Sequence, residues 1–149
     1  KFAAGNSINT CTGLPAMSAL NLLGLHHIAR VTDRPEESAR FYIDVLGFRP
    51  IERPNFDFRG AWLLGYGVQI HIIENRSQAG GRSDTIDTRL NHLAFAVEDH
   101  EPVRQRLDAL GINYLEKVNA GGIPQIFFQD PDGHHIEIGI YPPHPPYID

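Results

Sequence analysis

The sequence predicts an α+β domain in which two βαβββ modules form a cupped mixed sheet. Three observations predict it. The first is an internal repeat: LHHIARV at 25–31 matches LNHLAFAV at 90–97, which places His27 on His92 and Ala29 on Ala94. The second is that a helical pattern ending in Leu-Gly follows each copy, PEESARFYIDVLG and then EPVRQRLDALG. The third is an alternating segment late in each half, QIHII at 69–73 and HIEIGI at 135–140, which places His71 on Glu137. The offsets are 65, about 64 and 66 residues, so the halves are nearly equal in length.

Taken in chain order, residues 1–22 lack periodicity and read as an unstructured N-terminal segment. The only methionine is Met17, so residues 1–16 read as an expression remnant or as what is left of a processed targeting peptide. Module 1 runs from about 23 to 74. Its first strand leads into a helix with Asp33 as the expected N-cap, Pro35 in the first turn, Glu36 and Glu37 at the positive end of the dipole, and Gly47 as the stop. Ser38, Phe41, Tyr42, Val45 and Leu46 recur at helical spacing and should cover one side of the sheet. Strands follow at 49–53, 58–66 and 68–74. The polar, glycine-bearing stretch 75–88 reads as a linker on the surface. Module 2, about 89–141, repeats the plan with a helix between Asp99 and Gly111 that buries Val103, Leu107 and Leu110, and strands at 114–118, 124–129 and 134–141. PDG at 131–133 is a tight-turn signal, and four prolines make 142–149 an extended tail.

A chain of 149 residues with 42% hydrophobic content suits one ordinary globular domain. A formal charge of -5 with no basic run argues against a nucleic-acid partner, and no apolar stretch reaches the length of a membrane span. Cys11 is the only cysteine, so no intrachain disulfide forms. These features suit a cytoplasmic protein, or an organellar one after loss of a targeting peptide. There is no GxSxG elbow, and Cys11 lies in the unpatterned segment, so nucleophilic catalysis lacks a candidate. The isolated Gly121-Gly122 pair marks a hairpin or a flexible lid.

Strand alternation puts Ile136, Ile138 and Ile140 on one face of the last strand and His135, Glu137 and Gly139 on the other. The second face either meets water, which is the ordinary case, or lines a cavity, where a carboxylate needs a partner. The repeat supplies one: His27, His71, His92 and Glu137 sit at two pairs of equivalent positions, and all four carry donors preferred by Zn, Ni, Mn and Fe(II). A lone strand histidine is ordinarily a structural or surface residue, and a chain with eight histidines will show some clustering. Correspondence across a repeat outweighs that, because equivalent positions converge near a pseudo-twofold axis. The small neighbours Ala29, Ala94 and Ala96 leave room for a ligand. Trp62 and Phe127 are candidate substrate contacts, among a wider set with Phe56, Phe58, Tyr66 and Phe128. His26 and His134 belong to the opposite strand faces, His135 either hydrogen-bonds a metal ligand or lies at the surface, and His100 and His144 should be exposed.

LHHIARV, FYIDVLGF, LNHLAFAV and DPDGHHIEI together resemble the vicinal oxygen chelate superfamily, which includes glyoxalase I, from about Leu23 to Ile140. The resemblance implies a divalent metal held at His27, His71, His92 and Glu137. It further implies that Glu137 is the base that takes a proton from the carbon beside a carbonyl. Glyoxalase I has a second glutamate where this chain has His71, and the arginine with which it holds glutathione falls at Val31 here. The first functional expectation is therefore a metal-dependent, glyoxalase I-like lyase or isomerase acting on a small oxygenated substrate. A second keeps His27, His92 and Glu137 as a facial triad for extradiol dioxygenation or thiol transfer. A third is a non-catalytic module that sequesters a small molecule. A homodimer is expected, since strand edges and a half-open cup both gain from a partner.

Overall fold

The computed structural model describes residues 22–77, 83 and 85–142. The expected N-terminal segment with Cys11 and Met17, the linker glycines Gly80 and Gly81, and the tail with His144 lie outside the described residues. The elements are β1 (His27–Thr32), α1 (Pro35–Asp44), β2 (Arg49–Ile51), β3 (Gly60–Gly65), β4 (Val68–Glu74), β5 (His92–Ala96), α2 (Glu101–Leu110), β6 (Tyr114–Val118), β7 (Pro124–Gln129) and β8 (His135–Gly139). They form two four-stranded mixed sheets, ordered β1-β4-β3-β2 and β5-β8-β7-β6, each built from one βαβββ module. In both, the first strand runs parallel to the fourth and the remaining pairs are antiparallel.

Local chemistry accounts for where elements begin and end. The strand expected at 49–53 stops at Ile51, and its partner starts at Gly60 rather than Phe58. Pro54 has no ladder donor, and Arg53 Nη2 donates to the Phe58 carbonyl at 2.9 Å, so a side chain holds this loop together. Asp33 does not cap α1. Thr32 Oγ1 accepts the Arg34 amide at 2.9 Å, and Asp33 turns instead to the Arg34 guanidinium. In α2, Asp99 Oδ1 does take the Glu101 amide at 2.9 Å, and Gly111, at φ 65°, supplies the left-handed stop.

The half-repeats differ in offset because of one turn. Between the paired positions Leu64 and Gln69 lie four residues, closed by Tyr66 and Gly67, both at positive φ. Between Gln129 and His135, their equivalents, lie five. The extra residue belongs to the Asp130–His134 turn and carries the offset from 65 to 66.

The helix-facing sides of both sheets merge into one core. Ala39, Tyr42 and Leu46 of module 1 join Leu63, Ile70 and Ile72, and Leu107 of α2 joins Ile126, Phe128, Ile136 and Ile138. Each large apolar side chain buried there contributes roughly 2 kcal/mol. Leu110, expected in this core, is 41% exposed, because α2 buries fully only Leu107. Phe128 faces this core and not a ligand site; its ring lies 6.3 Å from Phe41.

The DPDG turn of module 2 clips onto module 1. The Thr32 and Ser38 hydroxyls donate to the two oxygens of Asp132, Tyr42 donates to Asp130 Oδ2 at 3.0 Å, and Arg34 Nη2 donates to the Pro131 carbonyl at 2.6 Å. Hydrogen bonds to a buried carboxylate are worth about 1.5–3 kcal/mol each. The modules are therefore joined through their helix sides. Among the described residues no ladder joins the two sheets, so β1 and β5 each keep one free edge.

Candidate metal centre

Register brings the donors together in pairs. On the first sheet Ala29 and Trp62 flank His71 on neighbouring strands; on the second, Ala94 and Phe127 flank Glu137. His27 and His71 stack with ring centroids 4.0 Å apart, and Trp62 stacks on His71 at 4.3 Å. His71 Nε2 lies 3.0 Å from Gln69 Oε1. Burial first, then the neighbouring His27, His26 and Arg53, hold the His71 pKa below its usual value, which keeps the ring neutral. His27 Nδ1 also lies 3.0 Å from His26 Nδ1.

The second pair is drawn together more tightly. Glu137 is buried at 4% exposure, and His92 Nε2 approaches its Oε2 to 3.0 Å. His92 Nδ1 lies 2.7 Å from the Leu90 carbonyl, which can only accept, so Nδ1 carries a proton. A neutral His92 then presents a lone pair at Nε2 toward a carboxylate oxygen. The approach is attractive only with a shared proton, on the ring or on the carboxyl, or with a cation that both atoms face. This donor chemistry, with the orienting carbonyl behind the imidazole, fits a divalent cation. The other carboxylate oxygen, Oε1, accepts from Gln125 Nε2 and from the Tyr141 hydroxyl. Burial, and then that hydrogen bond, push the Tyr141 hydroxyl up to about 12.

His92, Glu137, Gln125, Phe127 and Tyr141 line a cavity of about 720 Å³, with Ala94 and Ala96 beside them. The small residues do leave the space the sequence suggested. Lys117 stands at the rim, 5.7 Å from the centre of the Phe127 ring and donating to Thr88 Oγ1 at 2.8 Å. A second cavity of about 540 Å³ lies on the helix side of β5 and is apolar apart from Tyr66 and Arg106, so it offers no donor set.

The structure brings the four expected ligands together as His27 with His71 and as His92 with Glu137. No three of the four bring donor atoms within 4.8 Å of one another in a single chain. Within that limit the described residues do hold Asp130, Asp132 and His134. Their oxygens are occupied: Asp130 Oδ1 accepts the amides of Asp132 and His134, Oδ2 accepts from Tyr42 and faces His134 Nδ1 at 2.8 Å, and Asp132 takes Thr32 and Ser38. This cluster is the clasp between modules. Tyr66, an expected aromatic contact, also lies elsewhere, donating to the Leu46 carbonyl at 2.6 Å.

Two histidines depart from expectation. His135 is 3% exposed, and its Nε2 accepts the Asp87 amide at 3.1 Å, so it ties the end of the linker to β8. His100 is also buried at 3%, at the start of α2. Sequence reasoning missed Gln125 and Tyr141. Alternation gives a signal for the latter, since Glu137, Gly139 and Tyr141 share a face; for Gln125 only the β7–β8 register does.

Paired βαβββ modules carrying imidazole and carboxylate side chains on equivalent inner strands define the class of fold. The chain belongs to the Glyoxalase/Bleomycin resistance protein/Dioxygenase superfamily, which it matches over residues 24–138. It is 39% identical over 128 residues to Glyoxylase I 4 of Arabidopsis thaliana, covering 83% of this chain and 74% of that one. It is 33% identical over 121 residues to lactoylglutathione lyase of Haemophilus influenzae, covering 76% and 88%. Among solved structures, the glyoxalase family protein of Enterococcus faecalis superposes with a TM-score of 0.62 at 29% identity, covering 78% of this chain and 97% of the other.

Proposed function

We propose that this protein is a divalent-metal-dependent lyase or isomerase of the glyoxalase I type, acting on a small substrate that presents two neighbouring oxygens. The observation that carries the reading is the 3.0 Å approach of His92 Nε2 to Glu137 Oε2 inside a cavity. Zn, Ni, Mn and Fe(II) all suit a donor set rich in imidazole. His27, His71, His92 and Glu137 would hold the ion. When bound, it supplies positive charge that stabilises the negative charge developing on a substrate oxygen. Glu137 takes the proton from the carbon beside the carbonyl. Phe127 and Trp62 contact the substrate and shed water. The single-cysteine composition suits a cytoplasmic or organellar site of action.

The complete donor set is assembled in a homodimer. Within one chain the two pairs stand apart, β1 and β5 are free edges, and Leu22, Leu23, Leu25 and Leu90 are exposed near their starts. Pairing β1 of one copy with β5 of another would satisfy both edges twice over and unite the pairs in two equivalent sites.

Assay with the hemithioacetal of methylglyoxal and glutathione, in protein loaded with Ni, Zn, Co or Mn, tests the activity; silence with all four removes it. A mixture of the variants H27A/H71A and H92A/E137A tests the assembly. Each alone should bind no metal tightly, and after subunit exchange about a quarter of the sites should return. A mixture that regains none sinks the dimer reading.

One observation favours a second reading. His71 is stacked on both faces and its Nε2 is engaged by Gln69, which leaves His27, His92 and Glu137 as a triad. Oxygen uptake with catechols under Fe(II) distinguishes it. A third reading, sequestration without catalysis, is separated by metal content after gentle purification: well under one ion per site favours it.

A further inference from the structure

A carboxylate buried at 4% exposure and serving as Glu137 is proposed to serve must be kept from turning. Three positions at the end of β8 answer this. Glu137, Gly139 and Tyr141 alternate onto one face, and Gly139 lies opposite Gln125 of β7. The Tyr141 ring folds back over Gly139, so that a Cβ there would fall 2.4 Å from Tyr141 Cζ and 2.7 Å from its hydroxyl oxygen. No side chain other than hydrogen fits beneath the ring. The hydroxyl thereby reaches Glu137 Oε1, the oxygen that Gln125 Nε2 also meets, from the side opposite His92.

Module 1 has no such device. The positions equivalent to Gln125, Gly139 and Tyr141 are Gly60, Ile73 and Asn75; Gly60 lies opposite Ile73 in the ladder, and a Cβ on it would fall 2.1 Å from the Ile72 carbonyl oxygen. The latch therefore belongs to the carboxylate and not to the repeat.

We propose that Tyr141 is a positioning residue which, with Gln125 and through the opening left by Gly139, locks Glu137 Oε1 and presents Oε2 alone to the cation and the substrate. A carboxylate held in this way coordinates through one oxygen and does not rotate to offer two. The proposal rests on Glu137 being a metal ligand, so its test needs one measurement in the metal-free protein and one with metal.

In the metal-free full chain, a proton NMR spectrum should show a slowly exchanging, downfield Tyr141 hydroxyl resonance that disappears in Y141F and in G139A. With Co(II) or Zn(II), calorimetry should show about a tenfold loss of affinity in Y141F at unchanged stoichiometry. The Co(II) absorption spectrum should change, and kcat should fall by more than KM rises. Because the two substitutions break one contact, the double variant should be no worse than the poorer single one. Absence of the hydroxyl resonance in the unsubstituted protein overturns the latch whatever the metal does. So does an unchanged Co(II) spectrum with affinity within twofold in Y141F, or additive losses in the double variant. If the resonance is present but the unsubstituted protein binds no divalent cation, the latch stands and the metal-centre reading falls.

Discussion

His71 and Glu137 occupy matching places in the two sheets, each across from an aromatic residue on one side and an alanine on the other, yet they are restrained by different forces. His71 is sandwiched between the rings of His27 and Trp62 at 4.0 and 4.3 Å. Glu137 is held by directed donors, Gln125 and Tyr141, on one oxygen, while His92 Nε2 faces the other. Stacking fixes the plane of a ring at a gain of about 1 kcal/mol, and for His71 one neutral contact, Nε2 to Gln69 Oε1 at 3.0 Å, limits its sliding. Hydrogen bonds to a charged oxygen fix direction as well, and each is stronger. One fold thus offers two kinds of half-site, an adaptable neutral one and a rigid charged one. In the proposed reaction a base must be aimed, whereas a supporting ligand can adjust.

The largest expected effect breaks the charged half. Glu137→Gln keeps the shape and removes the charge, and kcat should fall about 1000-fold if Glu137 is the base. His71→Gln should lower kcat only about tenfold, as loss of a supporting ligand does. Steady-state kinetics on both variants decides, and the reverse order would end the assignment of roles.

The next effect concerns how the halves are joined. Asp132→Ala strands the buried Ser38 and Thr32 hydroxyls and should cost about 3 kcal/mol in urea denaturation, with activity per folded molecule retained. The β3–β4 turn of module 1 makes no comparable link, so Tyr66→Phe should cost only about 1 kcal/mol.

Stacking itself is probed by Trp62→Leu, which should weaken metal binding about fivefold, roughly the 1 kcal/mol of a lost ring contact. Phe127→Leu should leave affinity nearly unchanged, because Glu137 is held by hydrogen bonds and not by a ring. Calorimetry that finds equal losses would erase the distinction.

The smallest effect is on the acid limb. Burial works to raise the Asp130 pKa, but the hydrogen bond and charge of His134, with Tyr42, bring it below its ordinary value. A depressed carboxylate pKa stabilises the fold above the unfolded value and loses that contribution as the pH falls through the folded one. Asp130→Asn should therefore lower stability at neutral pH and flatten its decline below about pH 4. Chemical denaturation between pH 3 and 6 reads both.

Much of this was legible in the sequence because it depends on period and repeat. The strand order of each module follows from local βαβββ patterning, and the pairing of His27 with His92 and of His71 with Glu137 came from aligning the halves. The errors fall where a distant group overrode local pattern. Thr32 displaced Asp33 at the start of α1, because the corner there also serves Asp132. Leu110 has helical spacing but looks past the edge of the core. His100 reads as a surface residue, and His135 as a surface residue or a donor to a ligand, yet the linker covers His135 and the start of α2 buries His100. Tyr141 closes the expected last strand on the face of Glu137, yet nothing local shows that its ring folds back over Gly139.

The duplicated α+β plan, the inner faces of the strands and the equivalence of His27 with His92 and of His71 with Glu137 follow from the sequence alone, because side-chain direction on a strand is a matter of parity. How those four side chains are partnered is a matter of tertiary structure. It set His27 against His71 and His92 against Glu137, closed the modules through the Asp130–Gly133 clasp, and brought Gln125 and Tyr141 onto one carboxylate oxygen. Those contacts depend on sheet register, turn length and helix packing, which act between residues far apart in the chain and leave no periodic mark on it.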